Sequence, residues 1–234
     1  MRILVIQHSD QEHAGGFRPM FASDGHEISV CVAPRDIGDV DLGAFDGLWV
    51  LGGPMQVWQS AELPWLGREI EVIRHAVLDR KMPYFGVCLG HQLLAHVLGG
   101  KVGQAAESEI GLLHVTKSGE PPMFSGIAEQ FPCFQWHSAE VSRLPDGAEI
   151  TAGSKQCAVQ AMTWGKTASS VQFHAELDAA TLADWYDIDG CEEVLRQEIG
   201  NAADHVFDNL AAAEADLSRM RSGLYQHWLA GLTR

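Results

Sequence analysis

The alternation of short apolar runs with helically spaced segments over the first hundred residues limits this chain more than any other feature. Ile3–Ile6 is a continuous apolar run and His26–Val32 a partly alternating one, with a Gly- and Phe-containing segment of helical potential between them. Gly47–Leu51 reads as a third strand, stopped by Gly52-Gly53-Pro54. Leu63–Asp79 then carries Leu66, Ile70, Ile73 and Val77 at helical spacing. Pro83–Val87 is a fourth strand, Leu89–Leu98 its helix, and Gly99-Gly100 the stop. Strands that alternate with helices predict an α/β fold around a mostly parallel sheet covered on both faces.

From about 101 to 174 the texture changes to short strand-like pieces: Ile110–Thr116, Cys133–Trp136, Glu149–Ala152, Ala158–Thr163 and Ser170–Phe173. These predict antiparallel additions to the sheet. Beyond 178 the pattern is helical, with breaks near Gly190 and Gly200-Asn201. Val206, Leu210, Ala213, Leu217, Met220, Leu224 and Trp228 form a stripe that a surface helix buries against its own domain, a dimer contact being the lesser reading. Two regions follow: a domain over 1–178 and a helical extension over 179–234 packed on it.

Charge and cysteine usage narrow the function. Sixteen basic against 31 acidic side chains give −15 among 234 residues, and a surface that negative repels a phosphate backbone, so nucleic acid is excluded as a partner. No apolar run approaches the ~18 residues of a membrane helix, and Ile3–Ile6 is too short for a signal-peptide core. Cytoplasmic residence and no membrane partner are expected. The five cysteines contain no C-x-x-C pair, and His91 and His96 lie five apart, so neither a disulfide framework, a metal site nor a cofactor is called for. His8, His13 and His26 read as surface or loop residues.

Three phrases carry chemistry. Gly86-Val87-Cys88-Leu89-Gly90 sits where a strand hands over to a helix, the setting in which flanking glycines expose a nucleophile on a strained turn and the helix N-terminus favours a thiolate. The same phrase also fits a buried core Cys with packing glycines. His174 and Glu176 close a strand two residues apart, hence on one face, and a carboxylate there fixes an imidazole's tautomer and supports its protonated form. By themselves they are also consistent with a polar strand end. Parallel strands bring their C-terminal ends to one edge, where Gly52-Gly53-Pro54 can join the other two. Amides of Gly53 and Leu89 are then placed to bind an oxyanion.

Together, Gly52-Gly-Pro, Gly86-Val-Cys-Leu-Gly-His-Gln92 and Gln172-Phe-His-Ala-Glu176 resemble the motifs of the class I, triad-type glutamine amidotransferases, most closely the amidotransferase domain of GMP synthase and its stand-alone relatives. The resemblance covers roughly 1–178. It implies a three-layer, flavodoxin-like sheet, with Cys88 as nucleophile, His174 as base and then acid, Glu176 as its orienter, and Gly53 and Leu89 as oxyanion donors. It further implies that Gln92, His137 and Ser138 hold the substrate.

Two departures bear on function. The family's His-Pro-Glu is His174-Ala175-Glu176 here, which leaves the triad geometry available. Its frequent His-Gly-Asp is His137-Ser138-Ala139, so an acidic contact to the amino-acid end of the substrate is missing. No Ser-Gly-Gly-x-Asp-Ser phrase of an ATP pyrophosphatase occurs, and any synthetase is expected to be a separate protein. The expected reaction is hydrolysis of the glutamine side-chain amide through a Cys88 thioester, with ammonia passed to that partner. The alternatives are a stand-alone hydrolase of γ-glutamyl peptides or amines, and a non-enzymatic binding protein, against which the complete triad argues.

Overall fold

A computed structural model describes residues 1–232 of the chain; Thr233 and Arg234, the end of the helical extension, lie outside the described residues. One nine-stranded sheet organises it. Strands β1 (Arg2–Gln7), β2 (Glu27–Val32), β3 (Gly47–Val50) and β4 (Tyr84–Val87) are parallel in the order β2-β1-β3-β4. On the far side of β4 come β9 (Ala168–Val171), also parallel, and then β8 (Ala161–Trp164), β7 (Ala148–Gly153), β5 (Lys101–Lys117) and β6 (Gln130–Arg143), each antiparallel to its neighbour. The first four strands follow the flavodoxin-like order, with the chain reversing direction across the sheet at β1 and β3.

Alternation along β1 shows why both faces need covering. Ile3 and Val5 enter one apolar cluster and Leu4 and Ile6 the other, all of them buried. The first cluster is closed by α1 (Arg18–Ser23), α5 (Ala179–Tyr186) and α7 (Val206–Leu232), the second by α2 (Ala33–Asp36), α3 (Pro64–Arg74) and α4 (Leu89–Val97). Three layers result.

The structure extends several predicted elements. Ile110–Thr116 is the second half of a 17-residue β5, and Cys133–Trp136 lies within a 14-residue β6. The first half of β5, Lys101 to Glu109, is rich in polar residues and largely exposed, so it lacks the apolar alternation that marks a half-buried strand. A register shift between Gln104 and Glu109 separates the two halves. The helix over 63–79 is an α-helix to Arg74 and then a wider π turn, His75–Asp79. The short α2 is not foreshadowed by any periodicity.

In the extension, α6 (Cys191–Ile199) and a short 3-10 segment join α5 to the 27-residue α7. Val206, Leu210, Leu217, Met220, Leu224 and Trp228 are buried in the first cluster and Ala213 packs partly against it. Trp228 lies 5.2 Å from Trp49 of β3, edge to face. Burial of a row of large apolar side chains, each stabilising by about 1.5–3 kcal/mol, fastens α7 to the sheet that carries the site.

Candidate functional site

The C-terminal ends of β1, β3, β4 and β9 deliver four short segments to one edge of the sheet. Cys88 follows β4 with φ of 52° and ψ of −105°, a conformation costly for a residue with a Cβ, and Leu89 immediately begins α4. The backbone holds it there: the Cys88 N–H donates to Val171 O of β9 at 2.9 Å. Its thiol lies 3.9 Å from the Trp136 carbonyl. His174, three residues beyond Val171, donates its backbone N–H to Phe134 O on β6 at 2.8 Å. Strand β6 thereby returns to the centre of the site.

His174 and Glu176 are brought together, both buried, with Nδ1 and Oε1 2.7 Å apart. Burial opposes protonation of this imidazole, but Glu176 and Cys88 outweigh it and lift its pKa well above the ordinary value of 6.5. A Cβ on Gly52 would come within 2.7 Å of the His174 ring and 3.5 Å of the Cys88 Cβ, which puts the Gly-Gly-Pro turn against both. Cys88, His174, Glu176 and Gly53 thus share one edge with Leu89 at the head of α4.

The substrate candidates split along β6. Ser138 and Trp136 are partly exposed whereas His137 and Ala139 are buried, as strand alternation requires. Gln92 is buried too, its amide donating to Ala139 O and Gln172 Oε1, both at 3.2 Å. His137 Nδ1 donates to the same Ala139 carbonyl at 3.1 Å. Gln92, His137, Ser138 and Ala139 line a cavity of about 260 Å³ on one side of Cys88, and Glu198 of α6 is its one carboxylate among the described residues. A second cavity, of about 400 Å³, shares Gly53, Cys88, Trp136 and Val194 with the first and is lined by His174.

One buried group among the described residues, Glu109, His137 and Cys157, presents donor atoms within 4.8 Å of one another. Both Glu109 oxygens are already acceptors, from Ser154 at 2.9 Å and Gln160 at 2.8 Å. Burial pushes the Cys157 thiol up to about 12. His137 Nε2 also lies 3.3 Å from Glu109 Oε2, so this carboxylate is engaged on both oxygens.

Sequence reasoning missed three contributors. His8 lies in the loop after β1, one of the two places expected for it, but its side chain is buried there, because it follows the buried run 3–7 at the reversal point of the sheet. Its Nδ1 donates to Gly52 O at 2.6 Å and Nε2 lies 3.2 Å from Glu69 Oε2. A Cβ at Gly53 would lie 2.7 Å from that ring, so only glycine fits there. Arg221 of α7 is buried and donates to Ala175 O at 3.0 Å and Leu177 O at 3.1 Å, bracketing Glu176, whose own carbonyl accepts from the Gly16 N–H at 2.8 Å. Trp185 of α5 stands edge to face with His174 at 4.9 Å. For Arg221 the available signal was a cation interrupting the apolar stripe one position after Met220; for Trp185 no signal preceded the tertiary fold.

Comparison with known proteins places this geometry. The sequence profile described as glutamine amidotransferase class-I matches residues 20–183. The chain belongs to that family. The class-I amidotransferase described here is 39% identical over 150 residues to a glutamine-hydrolyzing GMP synthase subunit of Sulfurisphaera tokodaii, covering 64% of this chain and 76% of that one. It is 33% identical over 132 residues to a glutamine-hydrolyzing GMP synthase of Caldicellulosiruptor saccharolyticus, covering 56% of this chain and only 24% of that protein. The chain therefore spans about a quarter of that relative. Among solved structures, glutamine amidotransferases from Thermotoga maritima (TM-score 0.87, 25% identity, 100% and 99% coverage) and Methylobacillus flagellatus (TM-score 0.86, 28% identity, 100% and 96% coverage) match it over their whole length. The whole-length match takes in the helices after residue 183, which the family profile does not reach.

Proposed function

We propose that the chain is a cysteine amidohydrolase that cleaves a γ-glutamyl amide, with glutamine as the simplest substrate, giving glutamate and ammonia. The observation that carries this reading is the buried His174–Glu176 pair beside a thiol held on a strained turn at the end of β4. Cys88 passes its proton to His174 before its sulfur attacks the carboxamide carbon. Glu176 stabilises the resulting imidazolium, consistent with the raised His174 pKa. The Gly53 and Leu89 amides receive the oxyanion, the former aimed by the His8 bond to Gly52 O. His174 then protonates the departing nitrogen and next activates the water that cleaves the thioester.

Residues 1–178 form the catalytic unit and helices between 179 and 232 wall its site. Gln92, His137 and Ser138 shape the glutamyl cavity, and Glu198 replaces the acid absent at position 139 as partner of the substrate ammonium. Relatives in which the glutamine-hydrolyzing part of GMP synthase is a subunit of its own, such as that of Sulfurisphaera tokodaii, support a separate synthetase as ammonia acceptor. A second reading, a self-contained hydrolase of larger γ-glutamyl amides, is favoured by the 400 Å³ cavity beside His174. Glutamate release by the purified chain from L-glutamine, with loss of release in Cys88→Ala, tests the reaction. Wild-type release by that variant would overturn Cys88 as the nucleophile, and no release by the unaltered chain would return it to the class of non-enzymatic binding proteins.

A further inference from the structure

We infer that the preferred substrate is a γ-glutamyl amide whose amine carries an apolar stem ending in a positive charge, a γ-glutamyl diamine or polyamine. The inference rests on the hydrolytic reading above and names its substrate class.

Two cavities meet at Cys88, and the chemistry assigns one half of the substrate to each. The group that protonates the leaving nitrogen must stand on the leaving-group side. His174 lines the 400 Å³ cavity and not the 260 Å³ one, so the amine half belongs in the larger space. Ammonia, about the size of a water at ~30 Å³, fills less than a tenth of it. The walls are apolar and aromatic, with Trp136, Trp185, Ile188 and Val194, while Glu12 and Asp189 supply carboxylates; no Lys or Arg lines it among the described residues. Methylenes gain from the apolar walls, and an ammonium gains from indole faces and carboxylates.

The segment that supplies this wall is acidic. Residues 184–198 hold Asp184, Asp187, Asp189, Glu192, Glu193 and Glu198 against Arg196; Asp189 lines the larger cavity and Glu198 the smaller, while Asp184 is paired with His13 and Glu192 with Arg196. A segment so charged attracts a cationic amine and repels the free carboxylate of a γ-glutamyl peptide. Glu12 is the inner carboxylate: its pKa is raised, chiefly by burial, although His8 and His174, which line the same cavity, act to lower it. In the reaction the Cys88 sulfur–carbon bond forms and the carbon–nitrogen bond breaks, the amine leaving with the proton from His174. Water then adds its oxygen to the acyl carbon and gives a proton to His174, and the thiolate departs as glutamate is released.

Four substrates decide the matter, assayed by glutamate release from the full chain: the γ-glutamyl amides of 1,4-diaminobutane, of butylamine and of 4-aminobutyrate, and L-glutamine. The expected order of kcat/KM is diamine, butylamine, glutamine, with the 4-aminobutyrate amide poorest and the diamine about tenfold above butylamine. Glu12→Gln with Asp189→Asn should bring the diamine-to-butylamine ratio towards one, and the exposed Asp189→Asn alone should move it part of the way. Turnover of glutamine with rejection of all three substituted amides would overturn the inference and leave the hydrolytic reading standing, with the larger cavity then serving ammonia transfer. Equal rates for diamine and butylamine, or a preference for the acidic amide, overturn the charge assignment. Glutamate release from none of the four would bring down both readings.

Discussion

The strand ends before residue 178 and the helices after it contribute to the same site by different means. Cys88, the Gly52-Gly53 turn and His174 with Glu176 emerge from parallel strands whose register fixes them against one another. Trp185, Val194, Glu198 and Arg221 arrive from helices that dock on the finished sheet: one braces the imidazole, two line the cavities, and one ties down the backbone around Glu176. In the proposed reaction the first set supplies reacting groups, and the second supplies walls, charge and restraint. Chemistry should therefore collapse when the strand-end residues change and should be reshaped when the helical ones do.

The largest effect expected tests that division at its centre. Cys88→Ala should reduce glutamate release by at least about 10⁴-fold with the thermal midpoint little changed, because the nucleophile leaves but its turn remains. By contrast, Leu217→Asp, which buries a carboxylate in the cluster under α7, should cost more than about 3 kcal/mol of stability and lose activity only through unfolding. Activity lost in Leu217→Asp at an unchanged midpoint, or a clean dimer-to-monomer conversion, would erase the distinction.

Glu176→Gln comes next, with turnover expected to fall about 10²–10⁴-fold. The sign of its pH effect follows from the raised pKa of His174. The imidazolium persists well above pH 6.5 because Glu176 supports it, and the leaving group needs that proton. Removing the carboxylate lowers the pKa, so the alkaline limb of kcat/KM should shift to lower pH. The corresponding stability contribution is complete below the unfolded value of about 6.5 and lost as pH rises through the folded pKa, so it should shrink most on the alkaline side. Combined with His174→Ala, the substitution should add little, since both residues act through one proton. Multiplicative losses, or an unmoved alkaline limb, would separate Glu176 from His174.

How much of this was legible in the sequence follows from the same division. Cys88 is a local phrase placed at the sheet edge by β4, but His174 and Glu176 meet in a turn beyond β9, where His174 forms a single bridge to Phe134, and not through the strand alternation that their spacing suggests. The burial of His8 was missed because a polar residue after a strand is usually exposed, and only the reversal at β1 and β3 buries it against Gly52. Arg221 and Glu198 lie more than twenty residues beyond the last motif, on helices whose periodicity predicts that they pack but not what their polar residues reach. The polar half of β5 was missed because its ladder with β6, and not apolar burial, makes it a strand.

Arg221 gives a test of intermediate size at the junction of the two regions. Arg221→Met keeps the apolar stem and removes two donors, leaving the buried Ala175 and Leu177 carbonyls unpaired at a cost of about 1–3 kcal/mol each. A midpoint drop of several degrees and a roughly ten- to thirtyfold loss of kcat with little change in KM are expected, because Glu176 is displaced while the glutamyl cavity is not. Arg221→Lys should restore part of both. A loss confined to stability would make α7 a fastener alone.

The smallest effect expected concerns the acid missing at position 139. Glu198 lines the glutamyl cavity but is solvent-exposed, so its contact with a substrate ammonium is screened and falls at the low end for charged pairs. Glu198→Gln should raise the Michaelis constant about three- to tenfold and leave kcat nearly unchanged, since the contact is far from the reacting carbon and is equal in ground and transition states. Raising ionic strength should shrink the difference between wild type and variant. Ala139→Asp is expected to give no gain, although the family often has an acid there. The Ala139 side chain is buried, and its carbonyl already accepts from Gln92 and His137. An added carboxylate would be desolvated and would disturb the bonds that hold Gln92. If Ala139→Asp lowers the Michaelis constant and Glu198→Gln leaves it alone, substrate recognition returns to the strand side and the extension keeps only its walls.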